Sequence, residues 1–192
     1  MILPMTVAAQ DNAWERSDNK TQWKTDPHYL VGAVPEEDGR VVFTTNIKAP
    51  GKSASQIFAM LKKDFEQLCK EDNQFEQSRV SLADSSKWQL VGNYQEWLVF
   101  KDRALSLDRT RLFYNLIADC RDGEATIRLT RIHYLYDEER TPTTYKAEEW
   151  ITDKWGLNLK KTKLARVSGK FRRKTIDRKD YLFDRFAKLL EK

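Results

Sequence analysis

The residues best equipped for chemistry lie in one run near the C-terminus. From Lys160 to Lys179 the chain carries ten basic residues and a single acidic one, Asp177. The other twenty-four basic residues face twenty-eight acidic ones, so the formal net charge of +5 is a property of this segment. A cationic stripe of that density binds polyanions by releasing their counterions, and its affinity falls as salt rises. The candidates for such a surface are Lys160, Lys161, Lys163, Arg166, Lys170, Arg172, Arg173 and Lys174. Two other arrangements fit the same residues. The stripe can be a solvated helix face whose long stems cover sheet aromatics. It can also pair with the acidic turns Glu36-Glu37-Asp38 or Asp137-Glu138-Glu139.

Catalytic patterns are absent from the sequence. It contains no HExxH, CxxC, GxSxG, Walker-type loop or GxGxxG. The two histidines, His28 and His133, lie 105 positions apart. His133 is predicted in mid-strand opposite Leu112, a structural or exposed position rather than that of a base. Glu148-Glu149 is a carboxylate pair in sequence only. Two cysteines, Cys69 and Cys120, exclude a disulfide scaffold and a four-thiolate zinc site. They read as buried thiols, with a disulfide open to them if the chain is exported. No catalytic, cofactor-binding or metal-binding residue is assigned, and no cofactor is expected.

The elements that hold these residues follow from periodicity. Tyr29–Val34 is apolar and stops at Pro35, and Glu36-Glu37-Asp38-Gly39 reads as a turn. Val41, Phe43, Thr45 and Ile47 alternate with polar or smaller neighbours, which predicts a half-buried strand. Ser53 and Gln56 form a capping box. Behind it Ile57, Leu61, Phe65 and Leu68 mark one face of a helix running to about Glu71. Ser78–Ala83 and Lys87–Lys101 are predicted strands, the second with a bulge or bend at Gly92. Trp88, Leu90, Tyr94, Leu98 and Phe100 share one of its faces.

Asp122-Gly123 is a strong hairpin turn. It sets Cys120, Ala118 and Leu116 opposite Ala125, Ile127 and Leu129 on an apolar face, with Asp119, Ile117 and Asn115 opposite Thr126, Arg128 and Thr130 on a solvent face. Beyond Thr130 the apolar side switches, which predicts a strong twist or a bulge there. In unbroken register Phe113 meets Ile132, Arg111 meets Tyr134 and Arg109 meets Tyr136. Ala147–Ile151 can form a helical turn. From Leu159 to Lys192 there is no proline, and one long C-terminal helix is predicted, with a weak point at Gly169.

Composition bounds the class. The chain has 192 residues, 40% of them hydrophobic and 11% aromatic, too much for a disordered chain. No run approaches the roughly 18 apolar residues that span a bilayer. The apolar start Met1–Ala9, with small Val7 and Ala9 before polar Gln10, reads as the remnant of an export signal. Residues 10–28 read as a polar linker, and residues 29–192 as a single domain.

Tyr29–Pro35, Asp38–Phe43, Ala104–Arg111, Ala147–Lys154 and Lys170–Asp177 together resemble a family of exported proteins of unknown function from Gram-negative, Bacteroides-type bacteria with a TATA-box-binding-protein-like fold. The resemblance spans residues 29–190 or so. It implies an α+β domain: a curved antiparallel sheet of about five strands, a helix after the first strand and a long C-terminal helix, both on one face. It implies no activity. The namesake bends DNA with two repeats and apolar wedges in the minor groove. One repeat is visible here, so nucleic acid is not an expected partner. The expected function is that of an exported, periplasmic or envelope interaction module without catalysis, its partner a protein or an acidic envelope component. The alternatives are a polyanion binder, for acidic glycan or lipid headgroups, and a hydrolase with dispersed carboxylates.

Overall fold

The computed structural model describes residues 23–103 and 106–192. The apolar start and all but the last residues of the polar linker lie outside the described residues. The architecture is a single antiparallel sheet with two helices. In chain order the elements are β1 Glu36–Glu37, β2 Arg40–Lys48, α1 Ala54–Leu68, β3 Arg79–Asp84, β4 Gln89–Arg103, β5 Ser106–Arg121, β6 Glu124–Tyr136, β7 Thr143–Lys146 and α2 Gly169–Leu190. The sheet order is β1-β2-β6-β5-β4-β3, with β7 pairing the far end of β6. Seven strands stand where about five were expected, and the first helix follows the second strand. The two additions, β1 and β7, have two and four residues, too short to show a period.

Local signals account for most boundaries. Asp38 and Gly39 take positive φ (49° and 74°) and close the β1–β2 hairpin. The capping box at α1 is formed: Ser53 Oγ accepts from Gln56 N at 3.3 Å, and Ser53 N donates to Gln56 Oε1 at 2.8 Å. The β5–β6 turn adds to it. Asp122 Oδ1 accepts from Ala54 N at 2.7 Å, so one aspartate serves a hairpin and a helix start.

The β5–β6 register runs as predicted from Arg121↔Glu124 to Asn115↔Thr130. There Arg131 adopts φ +54° and inserts one extra residue into β6. The register beyond is therefore shifted. Phe113 faces His133, not Ile132, and Arg111 faces Leu135, not Tyr134. His133 accordingly sits opposite Phe113 rather than Leu112, with the two rings stacked at 4.4 Å. Arg111 instead lies over the Phe75 ring, 3.9 Å from its centroid.

Two further expectations are corrected. The predicted 159–192 helix is shorter: α2 begins at Gly169, and residues 157–164 form a small hairpin. Gly169 is the first helical residue, not a weak point within. A Cβ there would lie 2.8 Å from the Leu164 Cβ, so the approach of hairpin to helix needs glycine. The bulge expected at Gly92 belongs to the neighbouring strand, between Val80 and Leu82. Gly92 is required for a different reason. The Tyr94 ring folds back over it, and a Cβ would sit 2.6 Å from the Tyr94 hydroxyl oxygen. That ring cannot step aside, because it stacks on Tyr114 at 5.3 Å and donates its hydroxyl to Phe65 O.

Both helices lie on one face of the sheet. Ile57, Leu61, Phe65 and Leu68 of α1, with Phe171, Ile176, Leu182, Phe186 and Leu190 of α2, join the sheet's inward row in one core. Polar groups share that core. Arg172 is fully buried at the start of α2. It donates to Tyr29 O (2.7 Å), Leu30 O (2.5 Å), Ile151 O (2.8 Å) and the Asp153 carboxylate (2.7 Å). One guanidinium thereby ties the segment before β1 and the turn after β7 to α2.

Replacing Gly92 with Ala overpacks a ring cluster that has no slack, and the expected loss is about 1–3 kcal/mol in urea unfolding. An unchanged midpoint would show that Tyr94 moves freely. Arg172→Met keeps the apolar stem but leaves three carbonyls, two of them buried, and Asp153 without their donor. Its expected loss is about 3–5 kcal/mol by the same measurement, and a loss under about 1 kcal/mol would contradict the role given to it.

Candidate functional site

The eight cations predicted to share a surface divide into two groups. Arg172, Arg173 and Lys174 are consecutive, and successive helical residues point about 100° apart. On a helix laid against a sheet they cannot all face solvent. Arg172 and Lys174 are buried, 0% and 4% exposed, and leave the candidate surface. Arg173 lies over the Trp23 ring and 3.9 Å from Asp177. Lys170 donates to Asp108 at 2.6 Å and sits over the Phe100 ring. These four serve the interior and its edges.

The same holds for cations further along α2 that were not among the candidates. Arg178 is buried and gives a two-pronged pair to Glu96 on β4, Nε to Oε1 at 2.7 Å and Nη2 to Oε2 at 2.6 Å. Asn73 and Gln74 also donate to Glu96 Oε2, at 3.0 and 2.5 Å. Burial works against the Arg178 charge, and the Glu96 carboxylate overrides it, holding the guanidinium above its ordinary range. Burial pushes the Glu96 carboxyl up, but four converging donors match an ionised acceptor. Arg185 clasps Asp64 of α1 with two hydrogen bonds (2.7 and 3.0 Å) and also reaches Glu71. A signal for this clasp was present in the sequence. Glu96 falls in the every-second-residue series Leu90, Tyr94, Leu98, and a carboxylate on an apolar row needs a buried cation.

Among the described residues no ion pair is seen between the acidic turns and α2. Glu138 and Glu139 bind Arg111 and Arg109 of β5, at 2.6 and 3.3 Å. A cleft of about 730 Å³ opens beside α2, lined by His28, Asp64, Asp177, Asp180, Asp184 and Arg185 among others. Three of its aspartates are engaged locally: Asp64 by Arg185, Asp180 by His28 Nε2 at 2.7 Å, and Asp177 by the Tyr29 hydroxyl at 2.7 Å. Burial raises the Asp177 carboxyl above the usual range. Among the described residues no group of three or more His, Cys, Asp or Glu side chains could hold a metal ion. Cys69 and Cys120 are free thiols, and burial pushes Cys120 up to about 12.

Of the other predicted cations, Lys160, Lys161 and Lys163 lie on the short hairpin that precedes α2, and Arg166 stands just behind it. Leu157 and Leu164 pair across it and insert into the core. Ala165 N donates to Gly156 O, and Asn158 N to Lys163 O, both at 2.9 Å. The tip is closed by Asn158, whose Oδ1 accepts from Thr162 N and Lys163 N. Lys161 takes φ +53° in that turn. Ser168 Oγ donates to Trp155 O at 2.5 Å and shuts the base. All four cations are exposed, and none has an ion-pair partner among the described residues. Lys154 adds a fifth exposed positive charge beside Trp155.

Comparison with known proteins matches this architecture. The model of a domain of unknown function with TBP-like fold, DUF4468, matches residues 43–135. The crystal structure of a DUF4468 family protein from Bacteroides ovatus ATCC 8483 is 43% identical, with a TM-score of 0.81 over 87% of this chain and 95% of that one. A TBP-like protein from Parabacteroides distasonis ATCC 8503 is 22% identical, with a TM-score of 0.64 over 82% of this chain and 96% of that one, a likeness of fold. No curated protein matches the sequence. On the fold, the identity and the extent of that overlap, the chain belongs to the DUF4468 family and has its TBP-like fold.

Proposed function

We propose that the protein is a non-catalytic binding module of the cell envelope, and that it engages an anionic partner through the Leu157–Leu164 hairpin and its flanks. The observation that carries the proposal is the division of the basic run. The described arginines of α2 meet carboxylates or carbonyls of the same chain, whereas Lys160, Lys161, Lys163 and Arg166 meet none among the described residues. A charge already paired contributes little to a partner, while an unpaired one can release a partner's counterions. A rigid scaffold that presents a short loop is also the usual way to hold a binding element. The envelope location rests on the apolar Met1–Ala9 start.

Retention of the full chain on immobilised dextran sulfate tests the proposal. The wild-type protein is expected to bind at low salt and elute steeply as salt rises. Neutralising the hairpin with Lys160→Gln, Lys161→Gln, Lys163→Gln and Arg166→Gln should abolish retention without changing the urea midpoint. Lys170→Gln with Arg173→Gln should leave it nearly unchanged. The reverse ranking would move the binding surface to α2 and defeat the proposal.

A further inference from the structure

The hairpin's cations do not stand alone. Leu159 at the tip is 104% exposed, Val167 57% and Trp155 47%, and together they are three of the seven large hydrophobic side chains exposed among the described residues. All three belong to the hairpin and its immediate flanks. Trp155 and Val167 flank its base, where Ser168 binds Trp155 O, and Leu159 leads into the turn closed by Asn158. Beside them in the chain stand Lys154, Lys160, Lys161, Lys163 and Arg166, all exposed. The acidic side chain closest in sequence, Asp153, is taken by Arg172.

A site for a soluble polyanion needs the cations only. An exposed leucine, valine and tryptophan beside them are unfavourable in water and find no use against a hydrated chain of sulfates or phosphates. They fit a bilayer surface, where tryptophan settles at the headgroup level, aliphatic tips enter the acyl boundary and lysines meet anionic headgroups. Leu157 and Leu164, seated in the core, make the hairpin a fixed projection rather than a loose loop. No helix of the described residues is long and apolar enough to cross a membrane.

We infer that the hairpin between Lys154 and Val167 docks the protein on an anionic lipid bilayer, its cations against the headgroups and Trp155, Leu159 and Val167 below them. The inference rests on the anionic-partner reading above and names that partner. The test is sedimentation of the full chain with phosphatidylcholine vesicles and with phosphatidylcholine–phosphatidylglycerol vesicles. Binding is expected to the second only, with a blue shift of tryptophan emission. Trp155→Ser with Leu159→Ser should weaken that binding roughly tenfold or more while leaving dextran sulfate retention intact. The four hairpin glutamine substitutions should remove both. Both side chains are exposed, and an unchanged circular dichroism spectrum confirms that the variants fold. If the serine variant sediments like wild type, or the wild type binds dextran sulfate but not the anionic vesicles, the bilayer is not the partner and the anionic-partner reading stands. If the wild type binds neither, both fall.

Discussion

An arginine sealed between a helix and a sheet has to be met by a carboxylate. Left alone it would lose its hydration without compensation. Arg178 of α2 is met by Glu96, which rises from the inward face of β4 and is held in turn by Asn73 and Gln74. The pair fixes helix to strand with two directed bonds, where apolar packing alone would permit α2 to slide or rotate. The other interior cations of the helix extend the same device. Arg172 ties down the chain before β1 and after β7, and Arg185 clasps α1. Three guanidinium groups thus set how α2 lies across the sheet.

This arrangement changes the meaning of the protein's charge. Counted along the chain, the basic run is continuous across the 157–164 hairpin and α2. In three dimensions it is cut at Gly169. On one side the cations are consumed by internal partners; on the other they project into solvent among exposed apolar side chains. Glycine at 169 is what lets the hairpin turn directly into the helix, since Leu164 occupies the space a side chain would take.

Much of the fold was legible because its signals are local. The Ser53–Gln56 box, the Asp38-Gly39 and Asp122-Gly123 turns, and the inward alternation along β5 and β6 each involve neighbours in sequence. The bulge at Arg131 was visible as a switch of apolar side, but its effect on register was not, since a single inserted residue re-pairs everything beyond it. The α2 start was missed because residues 157–168 contain no proline and keep a helix-like spacing of Leu164 and Val167. The charge clasp was missed because its partners, Glu96 with Arg178 and Asp64 with Arg185, are brought together only by tertiary packing. The candidate surface was half legible for the same reason: charge density reads from sequence, but whether a charge is already spent does not.

If buried charge pairing holds α2 on the sheet, Glu96 and Arg178 must be energetically coupled, and a double-mutant cycle measures that coupling. Urea unfolding of Glu96→Gln, Arg178→Gln and the double variant gives the coupling. Each single substitution is expected to lose about 3–5 kcal/mol by stranding its partner, and the double variant clearly less than the sum. Losses that simply add would contradict that coupling.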